Sequence, residues 1–115
     1  MKPPSFAYHA PHTLNEALAL LNQHGSDAKI LAGGQSLVPM MNFRVAQPAI
    51  LIDINRIKEL AYIKDGNDGL RIGAMTRQRT VERDANVAKR SPLIHETMPH
   101  IAHPQIRNRG TIGGS

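Results

Sequence analysis

The chain has 115 residues, which suits one domain of ordinary size. It contains no cysteine, so disulfides, iron–sulfur ligation and thiolate zinc sites within this chain are excluded. The net charge of +5 comes from basic residues spread along the sequence, and aromatic residues are scarce, which disfavours a nucleic-acid partner. With no apolar run of about 18 residues and no signal-like N-terminus, we expect a cytoplasmic protein without a membrane span.

Hydrophobic patterns in the first half of the chain predict alternating strands and helices. The predicted elements are a short strand around Phe6 and Tyr8, a helix over Leu14 to His24, a strand at 28–32 covered on both faces, a helix at 37–43 and a buried strand at 49–54. Thr13 and Glu16 have the spacing of a capping box at the start of the first helix. Gly25 is the expected stop of that helix.

The second half predicts a hairpin followed by two helices. The expected features are one turn at 57–60, strands at 61–64 and 69–72 around Asp-Gly-Asn-Asp, a helix capped by Thr80, and a helix at 92–102 capped by Ser91. Gly and Asn would supply positive φ in the hairpin turn. Pro92 suits a first helical turn, whereas Pro99 threatens the interior of the last helix. Together the elements indicate a mixed α/β or α+β domain.

Two glycine-containing stretches are the strongest candidates for a binding site. Ala32-Gly33-Gly34-Gln35-Ser36 follows a predicted strand and precedes a predicted helix, and Thr111 to Ser115 reads TIGGS. Small residues let main-chain N–H groups converge on a phosphate, and a helix N-terminus adds partial positive charge. The alternative is an ordinary strand-to-helix turn in which the glycines only meet conformational needs. Two such loops in a small domain make a shared diphosphate ligand more credible.

Other chemistry finds less support in the sequence. Neither GxGxxG nor GxxxxGK[ST] occurs, so neither a Rossmann nor a P-loop site is indicated. His95, His100 and His103 lack metal-ligand spacing, and Ser36 lacks a nucleophile-elbow context. Asp53, at a strand end, is interpreted as the cap of the turn before Asn55 rather than as a catalytic carboxylate.

The order of several stretches resembles a known family. AKILAGGQSLVPMMNFR, ILIDINRI, IGAMT and PQIRNRGTIGGS occur in the order seen in the flavin-binding (medium) subunits of molybdenum-containing hydroxylases. This family includes the medium subunit of carbon monoxide dehydrogenase and the flavin domain of xanthine dehydrogenase. The resemblance implies the N-terminal part of a vanillyl-alcohol-oxidase-like (PCMH-type) FAD-binding domain, with the chain ending after the second diphosphate loop and the remainder of the domain absent.

The resemblance also implies which residues hold FAD. They are Ala32, Gly33, Gly34, Gln35 and Ser36 in the first loop, Ile101, Ala102 and His103 in a segment before the second, and Thr111, Ile112, Gly113, Gly114 and Ser115 in the second. Ser36 and Thr111 would add hydroxyl donors. No residue of the chain is expected to act as a general acid or base, and no metal ligand is expected.

By resemblance, the partners are a large subunit with the molybdenum cofactor and a 2Fe–2S small subunit. Electrons would pass from the iron–sulfur clusters to FAD and then to an acceptor. The rival hypothesis is a truncated, non-catalytic interaction module that does not hold FAD by itself.

Overall fold

The computed structural model describes residues 1–115, which divide into two compact units, Met1–Lys58 and Glu59–Ser115. We refer to them as the N-terminal and C-terminal units. Strands and helices alternate in the first and follow one another in blocks in the second. The mixed α/β or α+β class predicted from the sequence is therefore confirmed, whereas the single domain suggested by length has two subdivisions.

The N-terminal unit is built on a three-stranded parallel sheet. Its elements are β1 (Ala7–His9), α1 (Leu14–His24), β2 (Ala28–Leu31), α2 (Leu37–Asn42) and β3 (Ile50–Asp53), and the strand order is β1-β3-β2. Leu51 and Ile52 of the central strand are buried, while Lys29 of β2 is exposed. The prediction that residues 28–32 are covered on both faces is wrong, because Lys29 is exposed and Ile30 and Leu31 are only half-buried; the buried strand is β3, at the centre of the sheet.

Helix α1 begins and ends as predicted, with one difference at its cap. Thr13 has extended backbone angles, and its hydroxyl accepts from the N–H of Glu16 at 3.1 Å. The Glu16 carboxylate accepts from the N–H of His12 at 3.2 Å, one residue before the position that a capping box assigns to it. Gly25 ends the helix with φ +56°.

The C-terminal unit packs a hairpin and four short helices around one apolar cluster. Its elements are β4 (Ile63–Gly66), β5 (Gly69–Ile72), α3 (Gln78–Arg83), α4 (Ala85–Arg90), α5 (Pro92–Thr97) and α6 (Pro104–Arg109). Val81, Val87 and Met98 form the cluster, and Ile101 and Ile112 pack against it. A 3₁₀ turn at Lys58–Leu60, close to the predicted turn, includes the first two residues of the unit.

Several boundaries predicted for this half are wrong. Strand β4 extends to Gly66, so the turn consists of residues 67 and 68, neither of which has positive φ; the positive φ belongs to Gly69, the first residue of β5. Thr80 does not cap a helix but lies inside α3, whose N-cap is Arg77. A separate helix, α4, follows, and Asp84 caps it by accepting from the N–H of Val87.

The predicted long helix at 92–102 is also shorter than expected. It becomes 3₁₀ at Met98–His100, since Pro99 has no N–H to continue the α-helical ladder. Pro104, which follows the last predicted helix, opens the additional helix α6. No helix has the length and apolar character needed to cross a membrane.

Candidate functional site

The first loop, residues 32–36, lies between the end of β2 and the start of α2. Gly34 has φ +77°, a conformation that side chains rarely adopt. A Cβ at this position would also lie 3.3 Å from Leu31 Cδ1 and 3.4 Å from Val38 Cγ2. Gly33 has no positive φ, so backbone conformation alone accounts for one of the two glycines.

Main-chain carbonyls of the first loop are engaged, while its N–H groups are not. Ala32 O accepts from Asn55 Nδ2 at 2.7 Å, Gly33 O accepts from Gln35 Nε2 at 3.4 Å, and Gly34 O accepts from Val38 N at 3.1 Å. None of the N–H groups from Gly33 to Ser36 donates to a protein acceptor. The loop is half-buried up to Gln35, and the hydroxyl of Ser36 makes no capping hydrogen bond. Four consecutive main-chain N–H groups therefore have no acceptor in the protein, an arrangement that suits a bound anion.

A polar network lies beside this loop at the carboxyl edge of the sheet. Asp53 Oδ1 accepts from the N–H and from Nδ2 of Asn55, at 2.9 and 2.6 Å, and Asp53 Oδ2 accepts from the hydroxyl of Tyr8. Partial burial opposes ionisation of Asp53, but the hydrogen bonds from Tyr8 and Asn55, with a smaller effect of Arg56, outweigh it and hold the pKa below its usual value. The hydrogen bond to Asp53 raises the pKa of Tyr8. The predicted capping role of Asp53 is confirmed.

The second loop, residues 111–115, uses most of its N–H groups internally. Ile112 N donates to Thr76 O at 3.1 Å, and Gly113 N donates to Ala74 O at 2.8 Å. The preceding residue, Gly110, accepts from Gln78 N at 2.8 Å, so Thr111 is paired antiparallel with Arg77. These bonds attach the loop to the segment that precedes α3.

Thr111 and Gly113 also help to hold the second loop against the segment that precedes α3. Thr111 is only 2% exposed, and its hydroxyl oxygen accepts from the N–H of Gly114 at 3.1 Å. A Cβ on Gly113 would lie 2.7 Å from Ala74 Cβ and 3.0 Å from Ala74 O, so glycine is required for the close approach of the two segments. The family resemblance implies that the Thr111 hydroxyl donates to the ligand, and in the structure its oxygen accepts a hydrogen bond within the loop.

The segment Ile101–His103 connects the 3₁₀ turn to α6 and carries backbone strain. Ala102 has φ +46°, which is unfavourable by roughly 1–2 kcal/mol for a residue with a Cβ. Ile101 O accepts from Arg107 Nη1 at 2.7 Å, and the buried Arg107 also contacts Glu82 at 3.0 Å. The hydrogen bond from Arg107 holds the carbonyl of Ile101, while Ala102 and His103 are exposed.

The predicted site residues thus fall into two groups by unit. The first loop belongs to the N-terminal unit, and the 101–103 segment and the second loop belong to the C-terminal unit. Within the latter, Ile101 and Ile112 pack against the same apolar cluster, which brings their two segments together. Asn55, Ala74 and Arg107 support these segments and were missed as site residues. Of the three, only Asn55 could have been found from the sequence: it follows a predicted strand, and the ends of neighbouring parallel strands lie at one edge of a sheet, next to the first loop.

Comparison with known families identifies the fold. Residues 4–115 match the family model described as the FAD binding domain in molybdopterin dehydrogenase. This chain belongs to that family. The family resemblance noted in the sequence is therefore confirmed.

Individual members of the family are similar over nearly the whole chain. The medium chain of carbon monoxide dehydrogenase from Hydrogenophaga pseudoflava is 56% identical over 99% of this chain and 40% of its own length. The alpha subunit of the 6-hydroxypseudooxynicotine dehydrogenase complex of Paenarthrobacter nicotinovorans is 50% identical over 100% of this chain and 39% of its own. This chain therefore spans about two fifths of the length of these relatives.

Solved structures of the family agree with the fold. Carbon monoxide dehydrogenase from Hydrogenophaga pseudoflava superposes with a TM-score of 0.96 at 56% identity, covering 99% of this chain and 40% of the other. Quinoline 2-oxidoreductase from Pseudomonas putida 86 gives 0.94 at 42% identity, covering 100% of this chain and 40% of the other. The prediction that the chain has the fold of the N-terminal part of a PCMH-type FAD-binding domain is confirmed.

Proposed function

We propose that this chain holds the diphosphate of FAD as part of a flavin subunit in a molybdenum-containing hydroxylase complex. The observation that carries the proposal is the run of four unused N–H groups from Gly33 to Ser36 in a half-buried loop. Consecutive main-chain donors of this kind suit a dinucleotide diphosphate, and family membership specifies which dinucleotide.

The two loops would contribute unequally to binding. In the first loop, the N–H groups of Gly33 to Ser36 and the exposed hydroxyl of Ser36 would bind phosphate oxygens. In the second loop, only Thr111 and Ser115 have N–H groups without an acceptor in the protein. The second loop and the segment 101–103 would therefore act chiefly through their shape.

The same proposal includes the partners and the electron path. Relatives are medium chains or subunits of dehydrogenase complexes, and we infer a large subunit with the molybdenum cofactor and a 2Fe–2S small subunit as partners here. The flavin would supply the redox chemistry between the iron–sulfur clusters and an acceptor. The residues of this chain would orient FAD and donate hydrogen bonds to its phosphates. A cytoplasmic location stays a prediction.

A titration with three ligands tests the proposal. FAD, riboflavin and ADP are added separately to the chain, and binding is followed by flavin fluorescence or by competition. We expect FAD to bind, ADP to compete with it, and riboflavin, which has no diphosphate, to bind much more weakly. Equal binding of riboflavin and FAD would contradict a role for the diphosphate loop.

An interaction module is the second candidate function. Phe43 and Val45, which follow α2, are 68% and 75% exposed, and Val38 and Met40 add further apolar surface. Exposed apolar side chains in one segment are typical of a docking surface. Absence of FAD binding, with the chain folded, would favour this alternative.

A further inference from the structure

The carboxyl edge of the parallel sheet brings residues 32 and 55 together. Strands β2 and β3 are neighbours, with Leu31 opposite Asp53, and Ile54 N donates to Leu31 O at 3.1 Å as the last hydrogen bond between them. Beyond this point the two segments diverge, one into the first loop and the other into a turn. The contact that still links them is the hydrogen bond from Asn55 Nδ2 to Ala32 O at 2.7 Å.

The side chain of Asn55 is held in place before it reaches the loop. Its Nδ2 group also donates to Asp53 Oδ1 at 2.6 Å, and its main-chain N–H donates to the same oxygen at 2.9 Å. Tyr8 of β1 donates to the other oxygen of Asp53, so one residue of β1 and one residue after β3 fix this carboxylate. An amide nitrogen has two hydrogens, and Asn55 uses one toward Asp53 and one toward Ala32.

The direction of the Ala32 carbonyl determines the direction of a donor in the first loop. The peptide unit is planar and trans, so its carbonyl oxygen and the following N–H point in opposite directions. Holding Ala32 O toward Asn55 therefore aims the N–H of Gly33 away from Asn55. Because Gly33 has no side chain to restrict its backbone, this peptide plane would otherwise rotate freely.

We propose that Asn55 is a positioning residue for the first loop, one that sets the peptide plane between Ala32 and Gly33 and so presents the first of the four free N–H groups to a diphosphate. The consequence for FAD rests on the function proposed above. The orientation of the peptide plane is a property of the free chain and is testable without any ligand.

The test uses the isosteric substitution Asn55→Asp, which replaces the donor by a carboxylate oxygen facing Ala32 O and Asp53. Asn55→Ala removes the donor without adding charge and serves as the second variant. Gln47→Glu is the matched control, because Gln47 Nε2 also donates to a main-chain carbonyl, that of Arg44, at 3.1 Å. The readouts are FAD affinity and the backbone amide resonances of the free chain.

We expect both Asn55 variants to weaken FAD binding by about tenfold, the effect of losing one well-oriented hydrogen bond. Apart from the immediate neighbours of position 55, their amide shifts should change mainly at residues 32–36, whereas Gln47→Glu should leave FAD affinity and the resonances of residues 32–36 unchanged. Normal FAD affinity and unchanged Gly33 and Gly34 resonances in both variants would overturn the positioning role. If the unsubstituted chain binds no FAD, the proposed function fails, and the amide resonances still decide the role of Asn55.

Discussion

The two glycine-containing loops have similar sequences and opposite hydrogen-bonding states. In the first loop, no N–H from Gly33 to Ser36 has an acceptor in the protein. In the second, the N–H groups of Ile112, Gly113 and Gly114 all donate to protein oxygens. A short glycine-containing loop therefore does not by itself indicate an anion site, because the donors must also be free.

The glycines of the two loops are required for different physical reasons. Gly34 provides a positive φ of +77°, which turns the chain between β2 and α2. Gly113 has no positive φ, and it allows the second loop to lie directly against Ala74. Substitution of Gly34 should therefore strain the backbone of the first loop, whereas substitution of Gly113 should push the second loop away from Ala74.

The largest effect is expected from Gly113→Ala. The new methyl group would overlap Ala74 Cβ at 2.7 Å and Ala74 O at 3.0 Å, and neither atom lies on a flexible side chain. Such overpacking should lower the free energy of unfolding by about 1–3 kcal/mol, measured by chemical denaturation. The double variant with Ala74→Gly removes one of the overlaps and should recover part of the loss. No recovery would contradict the proposed contact.

Gly34→Ala should be somewhat less destabilising and should affect binding more. The left-handed conformation is unfavourable by roughly 1–2 kcal/mol for alanine, and the strain lies within the run of free donors. Gly25→Ala is a control with φ +56° and no atom near the added Cβ. Both variants should lose stability, but only Gly34→Ala should lose FAD affinity. Equal FAD affinity in the two variants would show that strain at Gly34 does not disturb binding by the first loop.

Thr111→Val tests whether the second loop acts through shape. The substitution keeps the size of a side chain that is 2% exposed and removes the acceptor for Gly114 N–H. We expect a loss of about 1 kcal/mol in the free energy of unfolding and a smaller loss of FAD affinity than in Gly34→Ala. A larger loss of affinity than in Gly34→Ala would show that the Thr111 hydroxyl contacts the ligand directly.

Sequence patterns were sufficient for the elements with local signals. The helix after Thr13 and its stop at Gly25 were predicted because cap residues and apolar spacing lie within the element itself. The helix at Pro104–Arg109 was missed, since six residues hold too little periodicity to separate a helix from a turn. Asp84 was missed as a cap because it ends one helix and begins the next.

The candidate site shows the same division between local and distant information. The positions of both loops could be predicted from small residues and from the family resemblance. The state of their N–H groups could not, because the acceptors Ala74 and Thr76 lie far from the second loop in sequence. The contact of Asn55 with Ala32 likewise depends on the register of β2 and β3, which no local pattern specifies.

The smallest expected effect concerns the acid dependence of the support beneath the first loop. The pKa of Asp53 is lowered in the folded chain, so its stabilising contribution is complete above the unfolded pKa of about 3.8 and is lost as pH falls through the lower folded value. In Tyr8→Phe the carboxylate loses a donor, its pKa should rise toward the ordinary value, and the contribution should shrink. Because Tyr8 is 51% exposed, solvent screening limits the change to a fraction of about 1 kcal/mol.

Denaturation from neutral to acid pH measures this change, and Tyr62→Phe is the matched control in the C-terminal unit. The control should leave the acid dependence unaltered, since no hydrogen bond joins the Tyr62 hydroxyl to a carboxylate. A smaller loss of unfolding free energy on acidification in Tyr8→Phe, together with a shift of the amide resonance of Gly33, would show that the hydrogen-bond network around Asp53 extends from β1 to the free donors of the first loop. The smaller loss without that shift would confine the role of Tyr8 to stability, leaving Asn55 alone to orient the loop.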